Sequence, residues 1–298
     1  MPAPRRAGLV PTQIADALTA VLGKATSAIR NHEAGSRRGG DIENVHQMRV
    51  ATRRIRAYLK AAKPALEAEA ADALRGDLAE LARALGVVRD LDVMIARLHA
   101  EAEALGKPDT AALERLIGSL DGERKLARAA LVKQLDDPRY PALLSELDQA
   151  TARPPVANPW ADLAELGAAE FGKLAKGQQR LQRRFDGNPP DDDLHALRIL
   201  GKRARYAAEL QPKSKHMTRF LQALAQFQEV LGDHQDVSVL EDRLRSMIAT
   251  AGNPAAAIAA GRVIEGGRAR KVAARAAYPS AWDAVAEAAR SAYIAPAD

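Results

Sequence analysis

Residues 45–59, VHQMRVATRRIRAYL, return 149 positions later as LHALRILGKRARYAA at 194–208. In this register His46 falls on His195, Arg49 on Arg198, Arg53 on Lys202, Arg54 on Arg203 and Arg56 on Arg205. The Gly-Lys pair at 23–24 falls on the one at 172–173 with the same spacing. Further on, LGVVRDLDVMIARL (85–98) matches LGDHQDVSVLEDRL (231–244) at a spacing of 146. Leu85, Gly86, Asp90, Val93, Arg97 and Leu98 there recur as Leu231, Gly232, Asp236, Val239, Arg243 and Leu244. The change in spacing needs only a loop three residues shorter in the second half. The chain reads as a tandem duplication of one unit of roughly 145 residues.

That unit is helical. Ala, Leu, Arg, Lys, Glu and Gln dominate the chain and only 4% of it is aromatic; these residues lose little side-chain freedom in a helix. Periodicity of the helical kind, punctuated by Pro and Gly, predicts helices near 12–32, 41–63, 69–104, 109–135 and 138–150. After the Pro-rich stretch TARPPVANPW (151–160) come helices near 160–185, 191–210, 215–249, 254–277 and 280–293. The acids of NPPDDD suit a helix N-terminus. The long segment 69–104 mixes Arg75, Asp77, Glu80, Arg83, Arg89, Asp90 and Asp92, as expected of an outer, solvent-facing helix.

Set on a helical wheel at about 100° per residue, His46, Arg49, Arg53, Arg56 and Lys60 share a stripe about 80° wide. Met48, Thr52, Ile55, Leu59 and Ala62 take the opposite, core-facing side, and Val50 and Ala57 edge the stripe. The second copy repeats this with His195, Arg198, Lys202 and Arg205, edged by Ile199 and Tyr206, over a core side of Leu197, Gly201, Ala204 and Ala208. A solvated face normally intersperses acids, because like charges four residues apart repel. Here the 16 residues 45–60 hold no acid, although the chain as a whole has 44 Lys and Arg against 38 Asp and Glu. Lys173, Lys176, Arg180 and Arg183 form another acid-free run. Weaker versions are Lys125 with Arg128, and Arg268 with Lys271 and Arg275, where a plain solvated face is an equal alternative.

Cations gathered in this way repel one another unless an anion neutralises them, and guanidinium forks hold phosphate oxygens bidentately while Lys adds point charge. Rungs about 5–6 Å apart along a helix suit a polymer with one charge per unit, such as a long phosphate chain. The formal charge of +6 agrees with a polyanionic partner. His46 and His195, at the head of each stripe, are expected to bind the anion in protonated form. His32, His99 and His216 have no counterpart and are expected at the surface. GDHQD (232–236) suggests a metal at first glance, but its counterpart reads GVVRD, so only the acid recurs. Asp90 and Asp236 are therefore read as structural, each anchoring an Arg or capping a turn. No cofactor and no metal site are expected. Phosphate-loop, GxSxG, HExxH and dinucleotide motifs are absent, as is any acid-rich magnesium site, so an enzyme is not expected. There is no cysteine. The opening MPAPRRAGLVPTQIADALTA lacks the apolar core of a signal peptide and no run of about 18 apolar residues exists; a soluble, cytoplasmic protein without membrane contact is expected.

The doubled His-x-x-Arg-x-x-x-[Arg/Lys] pattern, followed by LG..RD.DV and LG...D..V, resembles the CHAD family, the conserved histidine α-helical domain. The resemblance covers about residues 12 to 293 as one domain, with a first repeat at 12–150, a linker at 151–160 and a second repeat at 160–293. It implies an all-α fold of two antiparallel helical bundles related by a pseudo-twofold axis, with basic helices facing a central cleft or pore. It also implies binding of inorganic polyphosphate and association with polyphosphate granules. By position, the binding set is His46, Arg49, Arg53 and Arg56 with His195, Arg198, Lys202 and Arg205, flanked by Arg54 and Arg203 and extended by Lys60, Lys24, Lys173, Lys176 and Arg180. Ser27 and Asn31 stand where the second copy has Lys176 and Arg180, so one side of the cleft is expected to bind less tightly. Many members carry a CYTH triphosphate-hydrolase domain with a Glu-x-Glu-x-Lys signature. That signature is absent, so a stand-alone module is expected. The alternatives are a nucleic-acid binder, which the scarcity of aromatics in the basic stretches disfavours, and a phosphate-polymer hydrolase or kinase.

Overall fold

Asp41 opens the first basic helix: its side chain accepts the backbone N–H of Glu43 at 2.9 Å, supplying one of the partners a helix start lacks. Asp162 does the same for Ala164 and Glu165, and Ser214 for Met217. From such starts the computed structural model, which describes residues 13–293, builds an all-α molecule. The helices are α1 (Gln13–Arg38), α2 (Ile42–Ala61), α3 (Ala68–Ala104), α4 (Lys107–Leu135), α5 (Arg139–Ala152), α6 (Leu163–Phe185), α7 (Asp191–Glu209), α8 (Lys215–Ala251) and α9 (Pro254–Tyr293). Among the described residues there is no strand, only one isolated bridge between Leu66 and Val156. The readings of the opening stretch and of a helix start at residue 12 lie outside the described residues.

Among the described residues the first half contributes five helices and the second four, and α3 and α8 are each 37 residues long. At 1.5 Å per residue they reach about 55 Å, and with α9, 40 residues long beside α8, they extend beyond α1, α2, α6 and α7; this length organises the core. In the first half, Leu18, Leu22 and Ile29 of α1, Met48, Ile55 and Leu59 of α2, Leu78, Leu81 and Leu85 of α3, Leu131 of α4 and Leu147 of α5 form one buried cluster. In the second, Leu174 of α6, Leu197 of α7, Phe220, Leu224 and Phe227 of α8 and Tyr278 and Val285 of α9 form another. The far ends of the long helices make a third cluster that both halves share: Leu98, Leu113 and Leu120 with Leu244, Ala260 and Val263. The expectation of two bundles thus omits a joint core. An isolated pair of helix tips could not bury its apolar stripe, so each half covers the other's.

Three sequence readings need correction. The long helix α3 is not an outer element; it buries Leu74, Leu78, Leu81, Leu85, Val88, Ile95 and Leu98, and its charges occupy its remaining faces except Asp92, which is buried near Arg124. The expected break between 277 and 280 does not occur, since α9 runs straight through Pro279. Proline there removes one intrahelical hydrogen bond, but Tyr278, Ala281, Val285 and Ala289 are buried against α6–α8 and hold the helix on both sides of it. Helix α1 continues past 32 to Arg38, because Arg37 pairs with Glu33 and Asp136 while Arg128 donates to the Ser36 carbonyl at 3.0 Å. The other Tyr-Pro pair, Tyr140-Pro141, follows a turn and sits in the first turn of α5, where a missing N–H costs nothing. The segment after Ala152 is stitched down. Glu67 N–H donates to the Pro155 carbonyl at 2.9 Å, and Ala157 and Asn158 donate to that of Ala65.

Candidate functional site

The halves also meet through α2 and α7. The apolar backs of both helices are buried as their periodicity requires: Met48, Thr52, Ile55, Leu59 and Ala62 are fully buried, and Leu197, Ala204 and Ala208 nearly so. Their C-terminal ends touch edge-to-face through Tyr58 and Tyr206, with ring centroids 5.7 Å apart at 86°. This contact aims the stripes of the two helices at one another. A groove of about 300 Å³ lies between them, lined by Arg53, Arg56 and Lys60 of α2, Lys202 and Arg203 of α7, and Arg75 of α3. Glu170 of α6 is the single acid of its lining, and Ala57, Ala61, Ile199 and Tyr206 supply apolar wall.

Six cations around one carboxylate leave charge uncompensated, although Arg75 also pairs with Asp72 outside the lining at 2.8 Å. Burial, then Arg198, Arg53 and Arg49, push the Lys202 ammonium down to about 8, against the opposing charge of Asp236. Burial and then Arg203 and Arg75 lower Lys60, and burial with Arg75 and Arg83 lowers Arg56. The Nε groups of Arg53, Arg56, Arg75 and Arg198 are buried and donate to no protein atom. Buried donors without acceptors are rare and costly. Charge and orphaned donors together describe a receptor for an anion with several oxygens.

Beside the groove, each half repeats a device of three residues. Arg49 of α2 lies across Gly86 of α3 and pairs with Asp90 at 3.1 Å. Arg198 of α7 lies across Gly232 of α8, where a Cβ would come within 3.0 Å of its guanidinium. Asp236 faces it: burial raises the Asp236 carboxyl, and Arg198 is the first charge to oppose that rise. The recurring glycines leave room for the Arg; the acid one turn later pairs with it in the first half, and in the second acts on it only as a nearby charge. The glycines were visible in the repeat, but nothing in the sequence gives them this task. It appears only when α2 is laid on α3.

The remaining candidates separate. His46 is half-buried near Arg89, Arg53 and Arg49; burial and Arg89 lower its pKa, so the free protein holds it neutral. His195, the fifth residue of α7 as His46 is of α2, is exposed. Arg54 and Arg205 do not line the groove. They flank Glu209, which accepts from Arg205 Nε at 3.0 Å and from the Tyr58 hydroxyl and lies 4.0 Å from Arg54. Lys173 is exposed and pairs with Glu170, close enough to Lys60 to add to its repulsion. Lys24, Lys176 and Arg180 are exposed on α1 and α6 and line no part of the groove.

Of the weaker cation runs in the later helices, Lys271 and Arg275 of α9 act as struts. Arg275 donates to Asp191 at 2.6 Å and to the Pro189 carbonyl at 2.8 Å, and Lys271 also binds Asp191. Although burial would raise the Asp191 carboxyl, these donors hold it at about 2. His234 is buried with its Nε2 3.2 Å from Asp191, and burial lowers its pKa. In this way the start of α7 is pinned to α8 and α9. Among the described residues, no group of three or more His, Asp or Glu side chains converges as a metal-binding cluster. No described helix is long and apolar enough to cross a membrane.

Comparison with known proteins agrees with this architecture. The chain superimposes on PptA from Streptomyces chartreusis with a TM-score of 0.73 over 92% of this chain and 99% of that one, at 23% identity. It superimposes on the crystal structure of the CHAD domain from the plant Ricinus communis with a TM-score of 0.63 over 95% and 92%, at 29% identity. In sequence it is 30% identical over 217 residues to the uncharacterized protein Rv2226 of Mycobacterium tuberculosis, covering 70% of this chain but 41% of that protein. The chain therefore spans less than half the length of this curated relative. The model of the CHAD domain matches residues 20–245, and the chain belongs to the CHAD domain family.

Proposed function

We propose that this chain is a non-enzymatic module that binds inorganic polyphosphate in a basic cleft lined by its two halves. The observation that carries this reading is the groove between α2 and α7, where Arg53, Arg56, Lys60, Arg75, Lys202 and Arg203 converge and the Arg53, Arg56 and Arg75 Nε groups have no protein acceptor. Equivalent helices of a duplicated unit, related by a pseudo-twofold axis, would offer successive phosphates a charged rung every helical turn. Arg49 and Arg198, braced beside Asp90 and Asp236, extend the path. His46 joins it by taking up a proton when phosphate arrives. Through the same cleft the protein would associate with polyphosphate granules.

Nucleic acid suits the groove less well. Its one aromatic, Tyr206, is 7% exposed and set edge-on against Tyr58, so it offers no ring on which a base could stack. The test is titration with long-chain polyphosphate, followed by competition. Retention of polyphosphate against a charge-matched excess of single-stranded DNA or RNA is expected, and ready displacement would sink the reading. Incubation of polyphosphate with the protein and Mg²⁺ or Mn²⁺ should release no phosphate and convert no nucleotide. Turnover would make it an enzyme instead.

A further inference from the structure

The groove has a second side, and there the two halves differ. In the register that superimposes Arg53 on Lys202, Lys60 falls on Glu209. On the Lys60 side of the α2–α7 contact, Arg56 and Arg203 face open space. On the opposite side the corresponding cations are Arg205 and Arg54, and Glu209 stands between them. Its side chain is 14% exposed and held by two donors, Arg205 Nε and the Tyr58 hydroxyl, with the Arg54 guanidinium 4.0 Å away as a further charge. Tyr58 is itself buried, and burial together with Glu209 raises its pKa, so it stays a hydroxyl donor at neutral pH. A carboxylate ringed by two guanidiniums and a phenol occupies the kind of place a phosphate oxygen would occupy.

Resting on the polyphosphate reading above, we propose that Glu209 is a built-in counter-anion. It satisfies the cations on its side of the α2–α7 contact and confines the phosphate chain to the Lys60 side. Arg54 and Arg205 are then positioning residues for Glu209 rather than ligands of the polyanion. One duplicated helix carries the receptor's cation and the other a permanent occupant for the mirror-related place. Glu209 thereby sets how many phosphates are contacted at once, and so the shortest chain that binds tightly.

Glu209→Gln, which keeps size and hydrogen-bonding capacity, tests this in the full chain with polyphosphate of defined lengths at about 0.1 M salt. Affinity should rise about three- to tenfold as the two guanidiniums become available, and the slope of log affinity against log salt should steepen by about one to two. Wild-type affinity and slope in the variant would overturn the proposal. A second comparison stands whether or not that variant folds. Arg56→Gln should cost several-fold more affinity than Arg205→Gln, because only Arg56 faces the open side. Equal losses would refute Glu209 as an occupant while leaving polyphosphate binding intact. Failure of the wild-type chain to bind any polyphosphate would instead remove the parent reading, and this one with it.

Discussion

Helices α2 and α7 share a histidine at the fifth position and a cationic stripe, yet the protein uses them unequally. Arg53 and Lys202 occupy the same register position, and both line the groove. One turn and three residues further, the same register pairs Lys60 with Glu209: an exposed cation at the groove with an enclosed carboxylate outside it. His46 is half-buried among arginines, whereas His195 is exposed. The lesson is that two basic helices of like sequence supply the raw charge, and single differences between them decide where that charge stays free. The expected weakness of one side was placed at Ser27 and Asn31 on α1. The structure puts a sharper asymmetry at the α2–α7 contact, where an acid stands in the mirror-related place.

The severest way to break the comparison is to reverse both equivalent cations. Arg53→Glu with Lys202→Glu places two carboxylates where two cations now face each other. Polyphosphate binding should be lost, a fall of at least about 10²-fold, while circular dichroism remains that of the wild type because neither side chain belongs to the apolar backs of α2 and α7. Near-normal affinity in this variant would mean that the groove is not the site. The next effect is that of salt. With six groove cations releasing counterions together, affinity should drop by about 10³ between 50 and 200 mM monovalent salt. A flat dependence would show that the two stripes do not act on one polyanion.

Much of this was legible in the chain and some was not, for physical reasons. The all-α fold and the buried backs of α2 and α7 follow from period and composition, because burial of Met48, Ile55 and Leu59 is dictated by which residues lie a helical turn apart. The pairing of Arg49 with Asp90 could be suspected from their joint recurrence. The role of Gly86 could not, since a close approach between helices leaves no trace in either helix alone. Arg75 was hidden by the opposite cause: it sits among acids on α3, and mixed charge reads as solvent face, yet three-dimensional packing turns that one side chain into the groove. The shared core of Leu98, Leu120, Leu244 and Val263 was equally invisible, because apolar stripes say that something covers them, not what. Proline misled at 279, where tertiary packing outweighed a lost hydrogen bond.

The pair Arg53 and Lys202 also predicts a pH dependence that belongs to one half only. Lys202 titrates near 8 in the free protein, whereas a guanidinium stays charged. A phosphate beside Lys202 raises its pKa, so binding takes up a proton once the pH passes the free value. Affinity should be constant with respect to this group below about pH 8 and weaken by about tenfold from pH 7 to 9. Lys202→Arg should flatten that limb without moving the groove. An unchanged profile in the variant would place the titration elsewhere.

The smallest expected effect separates the two halves in the absence of any ligand. Lys202 has its folded pKa depressed from 10.5 to about 8 by burial and by Arg198, Arg53 and Arg49. Between those two values the unfolded chain binds more protons than the folded one, so stability rises with pH across that window and the cost is fully present below about 8. Lys202→Met keeps the stem and removes the charge. Measured at pH 7 in low salt without phosphate, its Tm should lie about 2–4 °C above that of the wild type, and the difference should shrink as pH approaches 10. Long-chain polyphosphate should reverse the order, because the wild type binds it more tightly and mass action then stabilises the charged groove. A lower Tm for the variant at pH 7, both without and with polyphosphate, would mean that Lys202 is held by the fold for its packing, and the groove's charge would then impose no strain that a phosphate chain relieves.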